Sequence, residues 1–379
     1  MHPPPTGRSP SPEQIRTLDD SFFSSDPHGY FMSRIESLIA HADGTAVDFE
    51  AGLGAEFAKR LGWQRNGSLI AASKSATEMQ VAIDAMSLRQ HVAEAVARLW
   101  LALLQTRVAA PGSVSFWETL TKTPANNLQV FEAIRTCDAW NDARVHLELL
   151  LPEPFLTQFQ TDPQIRQAFD VLHKWLEHTE MLLIRNDIHV AAANNKYKHG
   201  LAVRPRDDQR VGFLPADAIP PEGDTIPLTA SAREFVIFDR PFVEYLAEAP
   251  RDAAGKNGLE LTQLRLDSPV LLVEATMLAT LYGCLFHVAA ANHATWSDSV
   301  GEIAPYPSLP LGPSPERLLG HAVTGMRSPV TFRPDGTPPT RGHAIGFNDG
   351  SSVPLVIDYG GHRKMRFVAD EEAGSADDQ

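Results

Sequence analysis

The sequence predicts a mainly α-helical protein, a helical bundle with a small inserted β element and a β-rich C-terminal extension. Two long stretches, 75–107 and 164–199, contain no Gly or Pro and repeat apolar residues at a spacing of three and four, the period of a buried helix face. After Gly200 the runs become short, alternating or β-branched, and are separated by Pro, Gly and Asp, as strands and turns are. Hydrophobic residues make up 43% of the 379 positions and charged residues 21%, which is enough apolar surface for a large core.

Residues 1–30 read as a flexible Pro-rich tail, because the opening MHPPPTGRSPSP holds five prolines and no apolar cluster. The bundle is expected over 31–296, with the β insertion at about 201–268. Helical pieces are predicted near Phe31 to His41 and Phe49 to Leu61, then a long helix over Ser75 to Arg107 stopped by Pro111-Gly112. A further helix should run from about Leu128 to Leu149 and end at Pro152. The next opens at Asp162-Pro163, a cap and first-turn pair, and reaches His199, with room for a kink near Asn186-Asp187. Strands are expected at Leu201 to Val203, Val211 to Leu214, Glu234 to Phe238 and Leu259 to Leu266. From Ser268-Pro269 to about His293 the chain is apolar enough to suggest a membrane span. Glu274, Thr276, Thr280 and His287 within it favour a core helix instead, since a carboxylate at mid-bilayer is costly. Residues 297–329 read as a Pro-rich linker, 330–368 as a small β-rich module of three strands with Pro334-Asp-Gly and Asn348-Asp-Gly turns, and 369–379 as an acidic tail.

A net charge of −14 argues against a protein that coats nucleic acid or anionic membrane non-specifically, so any such contact must be local. Only Cys137 and Cys284 are present, far apart, which fits a reducing compartment and a cytoplasmic location. There is no Walker loop, dinucleotide-binding glycine fingerprint, Cys-x-x-Cys pair, His-Glu-x-x-His or Gly-x-Ser-x-Gly, so neither cofactor nor metal is expected. His173, Glu177 and Glu180 share a helix face but lack the Glu-x-x-His pairs of a di-iron bundle, and read as a solvated face.

Two constellations could carry chemistry. His91, Glu94 and Arg98 fall on one face of the 75–107 helix, among Val92, Ala95, Leu99 and Leu103. Their structural reading is an ion pair that orients the helix. Arg185, His189, Lys196 and His199 would share a stripe if the later helix is continuous. Such a stripe suits a phosphodiester: one neutral His accepts a ribose 2′-hydroxyl proton, a second protonates the leaving oxygen, and Arg or Lys holds the developing charge without a metal. The structural reading is a cationic helix end favoured by the macrodipole. Between Arg185 and Arg210 there are six Lys or Arg against three Asp or Glu, a local reversal in an acidic chain.

The segment Asn195-Lys-Tyr-Lys-His199-Gly, closing a long helix, together with His91-x-x-Glu94-x-x-x-Arg98, resembles helical bacterial proteins of the HEPN-like superfamily over about residues 75–200. Many members are metal-independent endoribonucleases of toxin, abortive-infection and other defence systems. The resemblance implies a helical bundle with His199, Arg185 and His189 as catalytic candidates. Asn195, Lys198, Lys196, Arg98, Glu94 and His91 would be substrate-binding. In the nuclease members four to six residues separate the Arg from the His, whereas here three precede His189 and thirteen precede His199. The partner expected on this reading is RNA or a nucleotide, with no membrane contact. A homodimer and a protein partner are left open. The alternative is a non-catalytic scaffold or partner-binding subunit whose polar stripes are structural. A third reading is a small-molecule sensor with a pocket between the Glu274 and His91 helices.

Overall fold

The structure is a computed structural model and describes residues 10–44, 52–60, 74–185, 190–199, 202–215, 217, 234–239, 241–249, 258–297, 301–309, 312–320, 324–331 and 352–358. It is mostly helical, with small antiparallel sheets in the C-terminal half. Two compact units divide the chain: 1–43, 84–185 and 268–320 form the first, and 44–83, 186–267 and 321–379 the second.

The first unit is helical. Helix α1 (Pro12–Phe23) begins where the sequence suggested a loose tail. Pro12 occupies its first turn, where no backbone N–H is needed, and Ser11 with Gln14 closes a capping box. Ile15, Asp19 and Phe23, four apart, are its buried face, a stripe hidden in the sequence by the surrounding prolines. Asp26 caps α2 (Pro27–Ala42). The second unit's α3 (Gly52–Arg60) precedes α4 (Lys74–Thr106), the long helix of the sequence reading, and the boundary between units falls inside α4. Helix α5 (Phe116–Thr121) follows.

The single helix expected over Leu128 to Leu149 is instead α6 (Asn127–Thr136), a 3-10 turn over Asp138–Asn141, and α7 (Ala143–Leu150). Cys137 is extended, and the Asp142 carboxylate accepts from Arg144 N, so a side-chain cap starts a new helix there. Helix α8 (Glu153–Gln158) leads to α9 (Pro163–Ile184), capped by Asp162 as its sequence predicts. Arg185 has extended backbone and ends α9 fourteen residues before His199. The uninterrupted stripe from Arg185 to His199 therefore does not exist.

At the centre of the first unit runs α11 (Ser268–Ala294), touching α1, α2, α7, α9 and α12 (Pro315–Leu319). It is the one described helix long and apolar enough to cross a membrane, and most of it is buried inside the unit. Apolar residues all round suit a helix packed on every side. At Gly283 a Cβ would lie 2.8 Å from the Pro307 ring and 2.9 Å from the His28 ring, so only glycine lets α2 and the 301–309 segment approach α11 this closely. That segment, expected as linker, is tied down: Tyr306 Oη donates to Leu150 O at 2.8 Å and His287 Nδ1 lies 2.8 Å from Ala304 O.

Among the described residues the second unit carries α10 (Val190–Lys198) and seven strands. β1 (Arg204–Arg206), β4 (Phe242–Glu248), β5 (Leu259–Arg265) and β6 (Gly325–Pro329) form one antiparallel sheet in the order β1-β4-β5-β6. β3 (Phe235–Asp239), β2 (Gln209–Pro215) and β7 (Ser352–Asp358) form another in the order β3-β2-β7. Val211, Phe213, Ile237 and Phe242, with Met326, pack as an apolar cluster. Strand β4 was not anticipated, and β6 lies in the stretch expected as linker. Of the three strands expected over 330–368, β7 is described; the Asn348-Asp-Gly turn, the Pro334-Asp-Gly turn and the acidic tail lie outside the described residues.

Candidate functional site

Chemistry-bearing residues of the second unit gather where α10 meets β1 and β4. The chain turns back after the helix, with Ala202 N donating to Lys196 O at 3.1 Å and His199 N to Asn195 O at 3.0 Å. Lys196 Nζ then lies 6.0 Å from the centroid of the Tyr245 ring on β4, a cation–π placement. A cavity of about 430 Å³ opens here, lined by Ala202, Val203, Arg204, Tyr245, Leu246 and Leu261, with Glu244 at its wall. Glu244 is buried and fully engaged: Arg204 Nε donates at 2.8 Å, Arg204 Nη2 donates to the same oxygen, and Gln263 Nε2 donates to the other at 2.6 Å. Arg206 Nη1 stands 3.5 Å away, while Arg206 Nε and Nη2 make a two-pronged pair with Asp208. That pair holds the Asp208 carboxyl below the usual carboxylate range.

One edge of the Arg204 guanidinium is thus fixed on Glu244 while 64% of the side chain stays exposed. Asn195, Lys198 and His199 are also exposed, and Lys196 is half-buried. Glu244 was legible only as a carboxylate between apolar strand residues, and neither it nor Arg204 was singled out, because the strand carrying Glu244 was missed.

The other predicted residues lie in the first unit. Arg98 Nη2 donates to Ala125 O at 3.0 Å, and its Nη1 lies 3.3 Å from Glu94 O and 3.8 Å from Glu94 Oε2. Asn127 Nδ2 donates to Glu94 Oε1 at 3.5 Å. The pair therefore fastens α4 to the start of α6. His91 Nδ1 accepts from Arg34 Nη1 at 3.1 Å and its ring stands edge-on to Phe31. Arg185 caps α9, half-buried, and His189 lies outside the described residues. The first unit contains Arg185, His91, Glu94 and Arg98, and the second Asn195, Lys196, Lys198 and His199.

A buried set of charges lies apart from the predicted site residues. Arg89 Nη1 donates to Glu274 Oε2 at 2.8 Å, and His178 Nε2 lies 2.9 Å from Glu274 Oε1, joining α4, α9 and α11. Burial pushes the Glu274 carboxyl up, but Arg89 and His178 outweigh it and the net direction is down. Between the two helices of the sensor reading, Glu274 meets the Arg89 guanidinium. His173 was grouped with Glu177 and Glu180, but its Nε2 meets His146 Nδ1 at 3.0 Å, and Glu180 pairs with Arg135. Among the described residues no group of three or more His, Cys, Asp or Glu converges as a metal ion requires.

Compared with protein families, curated proteins and solved structures, the chain matches none.

Proposed function

We propose that this is a HEPN-like helical protein that binds a phosphate-bearing ligand, RNA or a nucleotide, through the second unit. The observation that supports this reading is the return of the chain from α10 to β1, which sets Lys196 over the Tyr245 ring, and Tyr245 lines with Arg204 one cavity of about 430 Å³. Lys198 and His199 stand exposed on the same turn. Cations at a helix C-terminus are favoured by the helix itself, so they cost little to hold ready for phosphate. The apolar wall of Val203, Leu246 and Leu261 suits the face of a base.

Cleavage is the narrower form of the same proposal, with His199 as general base and Lys198 holding phosphate. Geometry supports binding better, because His199 is exposed and Arg185 ends α9 in extended backbone instead of lying on the helix of His199. The scaffold reading draws on a different observation: Glu94, Arg98 and His91 all have structural partners in the first unit.

Fluorescence anisotropy with single-stranded RNA, duplex RNA and ATP, in EDTA, separates these readings. Wild type should bind, with affinity falling as salt rises. Lys196→Ala and Lys198→Ala should each lower the slope of log affinity against log salt by about one. RNA cleavage in EDTA that is lost in a folded His199→Ala protein would support the nuclease form. Absence of binding to all three probes would favour the scaffold.

A further inference from the structure

We propose that His146 and His173 form a proton-operated latch between α7 and α9, one that takes up a first proton without parting and opens on the second. His146 is buried, and its Nε2 lies 2.9 Å from the carbonyl oxygen of Trp140. A carbonyl only accepts, so Nε2 carries the hydrogen. In the neutral ring Nδ1 must then be the acceptor. It faces His173 Nε2 at 3.0 Å, which therefore donates. One backbone carbonyl fixes the tautomers of both rings.

Protons enter this pair from one side. The His173 side chain is 32% exposed, and its outer nitrogen, Nδ1, lies 3.8 Å from Glu177 Oε1. A proton placed there leaves the bond between the rings intact and gains a carboxylate partner. The second proton has only His146 Nδ1 to occupy. Two N–H groups then face each other across 3.0 Å, both rings are cationic, and the contact cannot hold. Burial, followed by the neighbouring His173, moves His146 below the ordinary histidine value, as this geometry requires.

The surroundings relieve the second charge only in part, since burial and His173 outweigh Asp142 and the Trp140 carbonyl. The Trp100 indole from α4 stands edge-on to His146 at 5.1 Å, Trp140 lies at 5.6 Å, and Phe169 is 5.9 Å from His173. Of the charged neighbours, Glu177 on α9 lies beside His173 and Asp142 ahead of α7 acts on His146. Glu148, also on α7, is engaged by Arg107 and Arg144. A glutamine at either position could make the same bond and, because its amide donates or accepts, would keep it at any pH. Two imidazoles make the link pH-dependent. The sign follows from linkage: a histidine lowered in the folded state contributes stability that is complete above 6.5 and is lost as pH falls below it.

The test compares full-length wild type with His173→Gln. Long-range ¹⁵N–¹H spectra of histidine-labelled wild type, from pH 8 to pH 4.5, should show His146 as the Nε2–H tautomer at the upper end. The pair should then titrate in two steps about a pH unit or more apart, with His146 taking the second proton. Between pH 7.5 and pH 5 wild type should lose about 2–4 °C more in Tm than His173→Gln. Hydrogen exchange, corrected for intrinsic rate, should rise in Val145–Leu150 of wild type alone. Independent titration of the two rings, or equal Tm profiles for the two proteins, would overturn the latch. Should His173→Gln fail to fold, the wild-type spectra decide alone.

Discussion

Glu274→Ala should destabilise the helical unit by about 3–5 kcal/mol, the range expected when one member of a buried ion pair is removed. Arg89 is 6% exposed, and Glu274 is its charged partner on α11. Without the carboxylate its guanidinium keeps the desolvation cost of burial and loses the attraction that offset it. His178 loses its Nε2 contact at the same time, so the change strikes α4 and α9 together. Chemical denaturation measures the loss directly. The double variant Arg89→Met/Glu274→Leu should recover most of it, because two apolar side chains of similar size leave no charge behind. The two proteins should also differ in acid. With its folded value lowered, Glu274 contributes stability that is present above its ordinary 4.5 and lost as pH falls through the folded value. Wild type should therefore lose stability in acid more steeply than the double variant. A loss below about 1 kcal/mol in Glu274→Ala would mean that the pair is solvated rather than buried.

That pair shows what the sequence exposes and what it hides. Glu274 stands out as a carboxylate inside an apolar run, which marked the helix as core rather than lipid-facing. Arg89 carries no such mark, and it lies 185 positions away. Side-chain partners at that separation are set by helix packing, which periodicity alone does not specify. The long helices were legible because Gly and Pro are missing from them, and their ends were less so. Arg185 leaves the helix with no proline or glycine to signal it, and the same is true of Cys137. At the candidate site the cations of α10 and β1 were visible as a charge reversal. The meeting of Arg204 with Glu244 and Tyr245 was not, because it forms only when β1 pairs with β4, in the register that sets Arg204 opposite Glu244.

Asp19→Ala should cost about 2–4 kcal/mol, close behind Glu274→Ala, although its helix was expected to be tail. The Asp19 carboxylate is 2% exposed and accepts three hydrogen bonds: Ser115 Oγ at 2.7 Å, Phe116 N at 2.8 Å and Trp117 N at 3.0 Å. Two of these donors are the opening amides of α5, which have no partner inside the helix, so an anion from α1 satisfies them and complements the helix dipole. Removing it leaves buried donors unpaired beneath an aromatic cluster in which Phe22 stacks on Trp117 at 5.6 Å and Phe23 packs against Phe116 and Phe286. Asp19→Asn keeps an acceptor oxygen but not the charge, and should fall between wild type and Asp19→Ala. Chemical denaturation followed by tryptophan fluorescence reads the effect, since Trp117 belongs to the cluster that loosens. If Asp19→Ala unfolds at the wild-type midpoint with an unchanged slope, α1 contributes no stability to the bundle, and its buried face would have to be reassigned.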